Sequence, residues 1–501
     1  MCKQAVGNGI SALPTLVLKI TMLDGGFTVQ LHESKGERAQ YIALSHCWGK
    51  SGPLRTLKSN VEHHKRGIPR DDMPLSFQDV IVKVWYLGFK YLWIDSLCIV
   101  QDDSADWEAE AARMAEVYSN ATITFAATEA ADPSEGCQPS YTQAFPIPLE
   151  GDDVALVRFQ DNNKLDSRNA PLNKRGWTFQ EAALSRRMVC FDDNQMLWKC
   201  TSRHESEDGL LVSDNTDANM GDWNIWACLP RLAAGEQSYG FWYSMMEDYS
   251  SRELTFEKDK LPALAGIVGA FKKGVDDTPL LGLWLGDLLR GLLWRAEKPT
   301  ERVRRPGVVP SWSWTSVAGR VSWTDRKPAS RLPDEQLEII SGEVSWVGPP
   351  MTSSVSAAAL KVCGRMREAR AVWTHGTNVY LHEIDESPIQ VPEPHMVERL
   401  QEDIPAAPEI LGFCYMDLPE TRNSRVWCLE VYRSVQEQGS DTPRNHAHQV
   451  VVLAAVDEEQ DQFRRLGVGC VWRRSYRKDG STGNAVKETF REVPRRTITI
   501  I

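Results

Sequence analysis

A hydroxyl, an imidazole and a thiol stand in a row in YIALSHCWG (41–49), as Ser45, His46 and Cys47. Each is a side chain that nucleophilic catalysis uses, but a nucleophile and its base must lie within hydrogen-bond reach. Successive residues of a strand project to opposite faces. A strand running through this segment puts Ser45 and Cys47 on one side and turns His46 to the other, beside Leu44 and Trp48. On that geometry the three are not a catalytic set: Ser45 sits at a rim and Cys47 packs. The carboxylates are more informative. Asp95 closes the apolar run YLWID (91–95), and open α/β sheets place ligands at such strand ends. Its alternative role is to accept backbone N–H bonds from the segment that follows. Glu110 lies three residues after Trp107 and four before Met114, at the border of an apolar helix face. A carboxylate sheltered by an indole suits acid/base work, whereas Arg113 at i+3 offers it an ion pair. Arg175 and Glu181 bracket GWTFQ, a spacing that a structural ion pair explains.

Other chemistries lack their signatures. The chain has no Walker A loop, no HExxH and no GxSxG. Its 11 cysteines are scattered from Cys2 to Cys470 without a CxxC pair, a pattern of reduced thiols in a cytoplasmic protein with no metal site. A net charge of −11 argues against nucleic acid as a partner. The C-terminal stretch nevertheless gathers Arg473, Arg474, Arg477, Arg495 and Arg496, as a phosphate-binding edge or a solvated strand edge would. No apolar run approaches the roughly 20 residues a membrane span needs, and no secretory leader is legible at the start of the sequence. Trp is abundant, with 18 copies, and large aromatics anchor packing.

The elements that must position these residues alternate. YIALSHCW is a buried strand. SFQDVIVKVWYLG spaces Phe77, Val80, Ile81, Val84 and Leu87 along one helix face, and Gly88 stops it. YLWID is the next strand. DDSADWEAEAARMAEVYSN is a helix with acidic residues in its first turn and Trp107, Ala111, Met114 and Tyr118 on one face. ATITFAAT (121–128) is a third strand. Strand, helix, strand, helix, strand predicts parallel strands with right-handed crossovers. LNKRGWTFQEAALSRRMVCFDDNQMLWKC (172–200) continues as a helix and a hairpin turning near Asp193-Asn194. Helical segments follow, Glu301 to Pro310 forms a connector, and short strand candidates fill the rest. The division expected is 10–210, a helical extension with connector at 211–330, and a β-rich domain at 331–501. The first is an α/β domain with an open, mostly parallel sheet; the last is mainly antiparallel.

Taken together, YIALSHCWG, MPLSFQDVIVKVWYLGFKYLWIDSLCIVQDD with its helical continuation, and LNKRGWTFQEAALSRRMVCFDDNQMLWKC resemble the three blocks of the fungal HET (heterokaryon incompatibility) domain family. Cys47, Trp48, Gly49, Arg175, Trp177 and Glu181 carry much of that likeness as motif residues. The resemblance implies a part in fungal allorecognition and programmed cell death, as a signalling module acting through a protein partner or self-association, with no required cofactor. HET domains are also similar, remotely, to TIR domains, some of which cleave NAD at the nicotinamide–ribose bond with a helix glutamate. That likeness implies a TIR- or flavodoxin-like core, places the Trp-then-Glu pattern on Trp107 and Glu110, lines the same crevice with Ser45 and Asp95, and makes NAD a substrate. Its sequence departures are His46 where the family often has Tyr and Ala182 where it commonly has Arg. Two functions follow: an interaction module, or an NAD glycohydrolase with Glu110 as its catalytic carboxylate.

Overall fold

Apolar runs too short for helices become strands of a computed structural model that describes residues 10–23, 26–50, 52–139, 144–148, 154–158, 169–192, 195–209, 212–214, 223–233, 238–298, 309–323, 334–373, 379–382, 384, 410–417, 424–436, 445–472, 490 and 493–501. The chain forms two compact units, Met1–Glu236 with Arg252–Val275, and Gln237–Ser251 with Asp276–Ile501.

The first unit is built on β1 (Leu16–Leu23), β2 (Gly26–Glu33), β3 (Tyr41–Ser45), α1 (Leu75–Tyr86), β4 (Tyr91–Ile94), α2 (Ser104–Asn120), β5 (Ile123–Ala126), α3 (Gly176–Leu184), β6 (Arg187–Phe191), β7 (Met196–Cys200), β8 (Arg203–Ser206) and β9 (Val212–Asp214). The strands make one sheet in the order β9-β8-β7-β6-β5-β3-β4-β1-β2. β3 is parallel to β4 and β5, and β5 to β6, as the alternation predicts. The remaining neighbours are antiparallel. The sheet is therefore mixed rather than mostly parallel. Physically, the β1–β2 and β6–β7 connections are too short for a crossover, and a tight connection joins only antiparallel strands.

All five residues of β3 and all four of β4 are buried, which is why these strands are continuous apolar runs without alternation. α1 buries Ser76, Phe77, Val80, Ile81 and Val84, and Gly88 adopts the left-handed conformation that ends it. Leu87, expected on the same buried face, is exposed because it lies past the last helical turn. α2 begins at Asp103, whose carboxylate accepts from the Ala105 and Asp106 N–H groups. It buries Glu110, Ala111, Met114, Val117 and Tyr118. The helix and hairpin expected over 172–200 are α3 and β6–β7; Asp193-Asn194 lies outside the described residues. Among the described residues no helix is long and apolar enough to cross a membrane, and the ten described cysteines are unbridged.

The second unit carries β10 (Glu338–Trp346), β11 (Val355–Trp373), β12 (Val379–His382), β13 (Ile410–Met416), β14 (Ser424–Gln436), β15 (Asn445–Asp457), β16 (Gln462–Trp472) and β17 (Arg495–Ile500). Antiparallel pairing runs β11-β12-β13-β16-β15-β14 and returns from β14 to β11, so six strands close on themselves. Closure removes the open edges of the ring. Its interior is filled by alternate residues of each strand, including Ala369 and Ala371, Val379 and Leu381, Cys414 and Met416, Val426 and Cys428, and Val450 and Val452. The tryptophans are packing residues here: Trp242, Trp284, Trp294, Trp312 and Trp314 are fully buried. The indole N–H groups of Trp242 and Trp314 both donate to the Gly282 carbonyl at 3.0 Å. Of the basic residues near the C-terminus, Arg495 pairs with Glu338 and Arg496 with Asp461, while Arg473, Arg474 and Arg477 lie outside the described residues.

Candidate functional site

The parallel arrangement brings the carboxyl ends of β3, β4 and β5 to one edge of the sheet, and β3 ends at Ser45. Strand alternation therefore stops before His46, which corrects the expectation that the imidazole turns away. His46 is buried, with Nδ1 3.6 Å from Asp95 Oδ1 and its ring edge-on to Phe77, centroids 5.1 Å apart. Neither of its ring nitrogens has a hydrogen-bond partner among the described residues. Burial, reinforced by the Arg175 charge and opposed by Asp95, pulls its pKa down to about 4, so the imidazole is neutral at neutral pH.

Asp95 follows β4 and opens the single helical turn Asp95–Cys98. It accepts from Trp48 Nε1 at 2.8 Å and from the Ser96 N–H at 2.7 Å. Both readings of Asp95 are thus present in one side chain: it accepts a backbone N–H, and it stands at the sheet's carboxyl edge, where its side chain keeps 18% exposure.

Glu181 is the second carboxylate. α3 is buried at Gly176, Thr178, Phe179, Gln180, Glu181, Ala183 and Leu184, so three polar side chains, Thr178, Gln180 and Glu181, are enclosed with it. The Ser45 and Tyr118 hydroxyls hydrogen-bond to Glu181. The Tyr118 hydroxyl also lies 3.2 Å from the Leu44 carbonyl. Burial and then the Asp95 charge push the Glu181 carboxyl up to about 7, against the two hydroxyls and Arg175. Half-buried Arg175 donates to the His46 carbonyl, which fastens the segment after β3 to the residues that begin α3. Cys47 lies beside Arg175 and Glu181, and burial pushes its thiol pKa up, so it is not a poised nucleophile.

Ser45, Asp95 and Glu181 are therefore gathered into one centre, with His46, Cys47, Tyr118 and Arg175 around it. Glu110 is committed elsewhere. It accepts from Thr15 Oγ1 at 2.7 Å and lies 3.4 Å from Arg113 Nη1, the i+3 pair that its spacing allowed. Trp107 packs edge-on against Trp177 at 6.3 Å, and Trp177 Nε1 donates to Asp259. Gly49 has φ +69°, and a Cβ there would stand 1.9 Å from Asp132 Oδ2. Gly49→Ala is expected to cost roughly 2 kcal/mol, from left-handed strain and a displaced carboxylate. A shift of the urea midpoint measures it, and an unmoved midpoint would show both that Asp132 yields freely and that the left-handed backbone at Gly49 relaxes.

Sequence reasoning assigned Glu181 to an ion pair with Arg175 and missed Tyr118 and His46 as members of the centre. The available sign was Gln180-Glu181 in a helix otherwise lined with Phe179, Ala183 and Leu184. Chemically, the centre offers two carboxyl groups in unlike surroundings, two hydroxyls, a guanidinium and a neutral imidazole. No cluster of three or more metal-ligating side chains occurs among the described residues.

A mixed α/β domain with a polar centre at the carboxyl ends of its parallel strands is the class that fold and site define. Residues 41–181 match the family described as Heterokaryon incompatibility protein (HET). That match opens on the first residue of β3 and closes on Glu181, enclosing every member of the centre. No curated protein and no solved structure matches the chain.

Proposed function

We propose that this protein acts in fungal nonself recognition, as a cytoplasmic signalling module whose HET domain sets off programmed cell death through a protein partner or self-association. The observation supporting this is the family match over 41–181. Induced expression of the full chain in a fungal host is expected to arrest growth. Asp95→Asn and Glu181→Gln, at equal protein level, are expected to relieve the arrest. Normal growth of cells holding the parent protein would count against the reading.

A second reading is supported by the gathering of Ser45, Asp95 and Glu181 at one sheet edge. On this reading the domain breaks a glycosidic bond, with no added cofactor, and NAD is the substrate that a TIR-like core implies. Nicotinamide release by the purified chain tests it. Because Glu110 is engaged with Thr15 and Arg113, Asp95→Asn is expected to lower turnover far more than Glu110→Gln. The reverse ranking would return the catalytic role to Glu110.

A further inference from the structure

The two carboxyl groups of the centre stand in different electrostatic surroundings. Asp95 accepts from two N–H groups, those of Trp48 and Ser96, and keeps contact with solvent. Glu181 is enclosed, and its partners are the hydroxyls of Ser45 and Tyr118. Two like charges packed together in a site of low polarity cannot both form cheaply. The proton belongs on the group that is enclosed and lacks N–H donors, and the carboxyl pushed up to about 7 is indeed Glu181. The titratable and charged groups facing it are Asp95, Arg175, Tyr118 and Cys47. Beside Asp95 the buried His46 offers two nitrogens without a hydrogen-bond partner among the described residues.

We infer that this centre is built to cleave a glycosidic bond whose leaving group must take up a proton, as the purine of a neutral nucleoside or nucleotide does, with Glu181 as proton donor and Asp95 as the facing carboxylate. This deepens the second reading above and rests on it. Charge on the leaving group distinguishes the substrates. The nicotinamide of oxidised NAD already carries a positive ring nitrogen, and the electron pair of the breaking bond neutralises it. An acid adds nothing there. A neutral purine leaves with that electron pair as an anion unless a proton arrives, so general-acid help matters. In the step, the bond between ribose C1′ and purine N9 breaks and its electron pair stays on the purine. The Glu181 proton passes to purine N7. A water oxygen, oriented by Asp95 and the neutral His46, bonds to C1′ and gives its proton to Asp95. Free base results together with ribose, or with ribose phosphate from a nucleotide, and solvent returns the proton from Asp95 to Glu181. Paired carboxyl groups in unlike surroundings, one serving as acid and one as base, are the arrangement this chemistry uses in glycoside hydrolysis.

The experiment compares base release from guanosine, from GMP and from 7-methylguanosine, whose purine is already cationic, by the full chain and its variants. Folding of each variant is checked by circular dichroism and thermal melting. The parent is expected to cleave guanosine or GMP, with activity falling as pH rises through about 7, and to cleave 7-methylguanosine without that fall. Glu181→Gln is expected to lose about 100-fold or more on guanosine, within the range of general-acid contributions, while largely keeping 7-methylguanosine. Asp95→Asn is expected to lose activity on both. Equal loss on both substrates in folded Glu181→Gln, or no loss on either, overturns the inference. Cleavage of NAD without cleavage of guanosine or GMP overturns it and leaves the NAD reading standing. Cleavage of none of them overturns both.

Discussion

Replacing Glu181 by Gln is expected to stabilise the protein by about 3 kcal/mol at pH 7.5 while abolishing acid catalysis. The magnitude follows from a carboxyl whose pKa is about 7 in the folded chain against an ordinary 4.5. Between those values the folded state holds a proton that the unfolded state has shed. Stability is therefore lost as pH rises through the window, and the cost is complete above it. Glutamine keeps the acceptor for Ser45 and Tyr118 without the charge. His46 works in the opposite sense, since burial lowers its pKa from 6.5 to about 4. Its contribution is present above 6.5 and is lost as pH falls toward 4. The two slopes oppose each other over the shared interval, so the parent's stability changes little there, and Glu181→Gln is expected to expose the His46 slope as a rise with pH. Urea titrations of both proteins from pH 4.5 to 7.5 check this. Parallel stability curves would show that Glu181 is not held protonated. A residue that costs stability at neutral pH points to function rather than packing.

The second large effect lies in the β-rich unit. Arg465 is fully buried, with Nη1 2.5 Å from Asp417 Oδ2 and its guanidinium 3.4 Å above the Trp294 ring. Asp417→Ala leaves a cation in the core without its counter-charge, and the expected loss is about 3–5 kcal/mol. The double variant Asp417→Leu with Arg465→Met removes both charges and is expected to recover most of that loss, because an apolar pair of similar volume carries no desolvation cost. Denaturant midpoints of the three proteins decide it. A double variant as unstable as the single one would mean that the Arg465 guanidinium contacts to Trp294, rather than its charge balance, hold this region.

Much of the first unit was legible because its signals are local. Phe77, Val80, Ile81 and Val84 recur at helical spacing, and α1 buries that face. The runs at Tyr41 and Tyr91 are apolar without alternation, and β3 and β4 are buried on both sides. Asp95 ends an apolar run, so its place at the sheet's carboxyl edge follows from the parallel topology alone. The mixed character of the sheet was less legible, since it depends on where hairpins attach to the parallel core.

Sequence by itself determined the order of elements, the strand and helix faces that pack, and the blocks that the HET match spans. Only tertiary structure decided which carboxylate joins Ser45 and Asp95. Glu110 and Glu181 both sit on buried helix faces, and chain spacing does not say toward which neighbour each face is rotated. It likewise decided the place of His46, because a strand that ends one residue earlier frees the next side chain from alternation. Closure of the six-stranded ring belongs to the same class: it rests on β11 being long enough to pair with both β12 and β14, a matter of register between distant segments that no local pattern encodes.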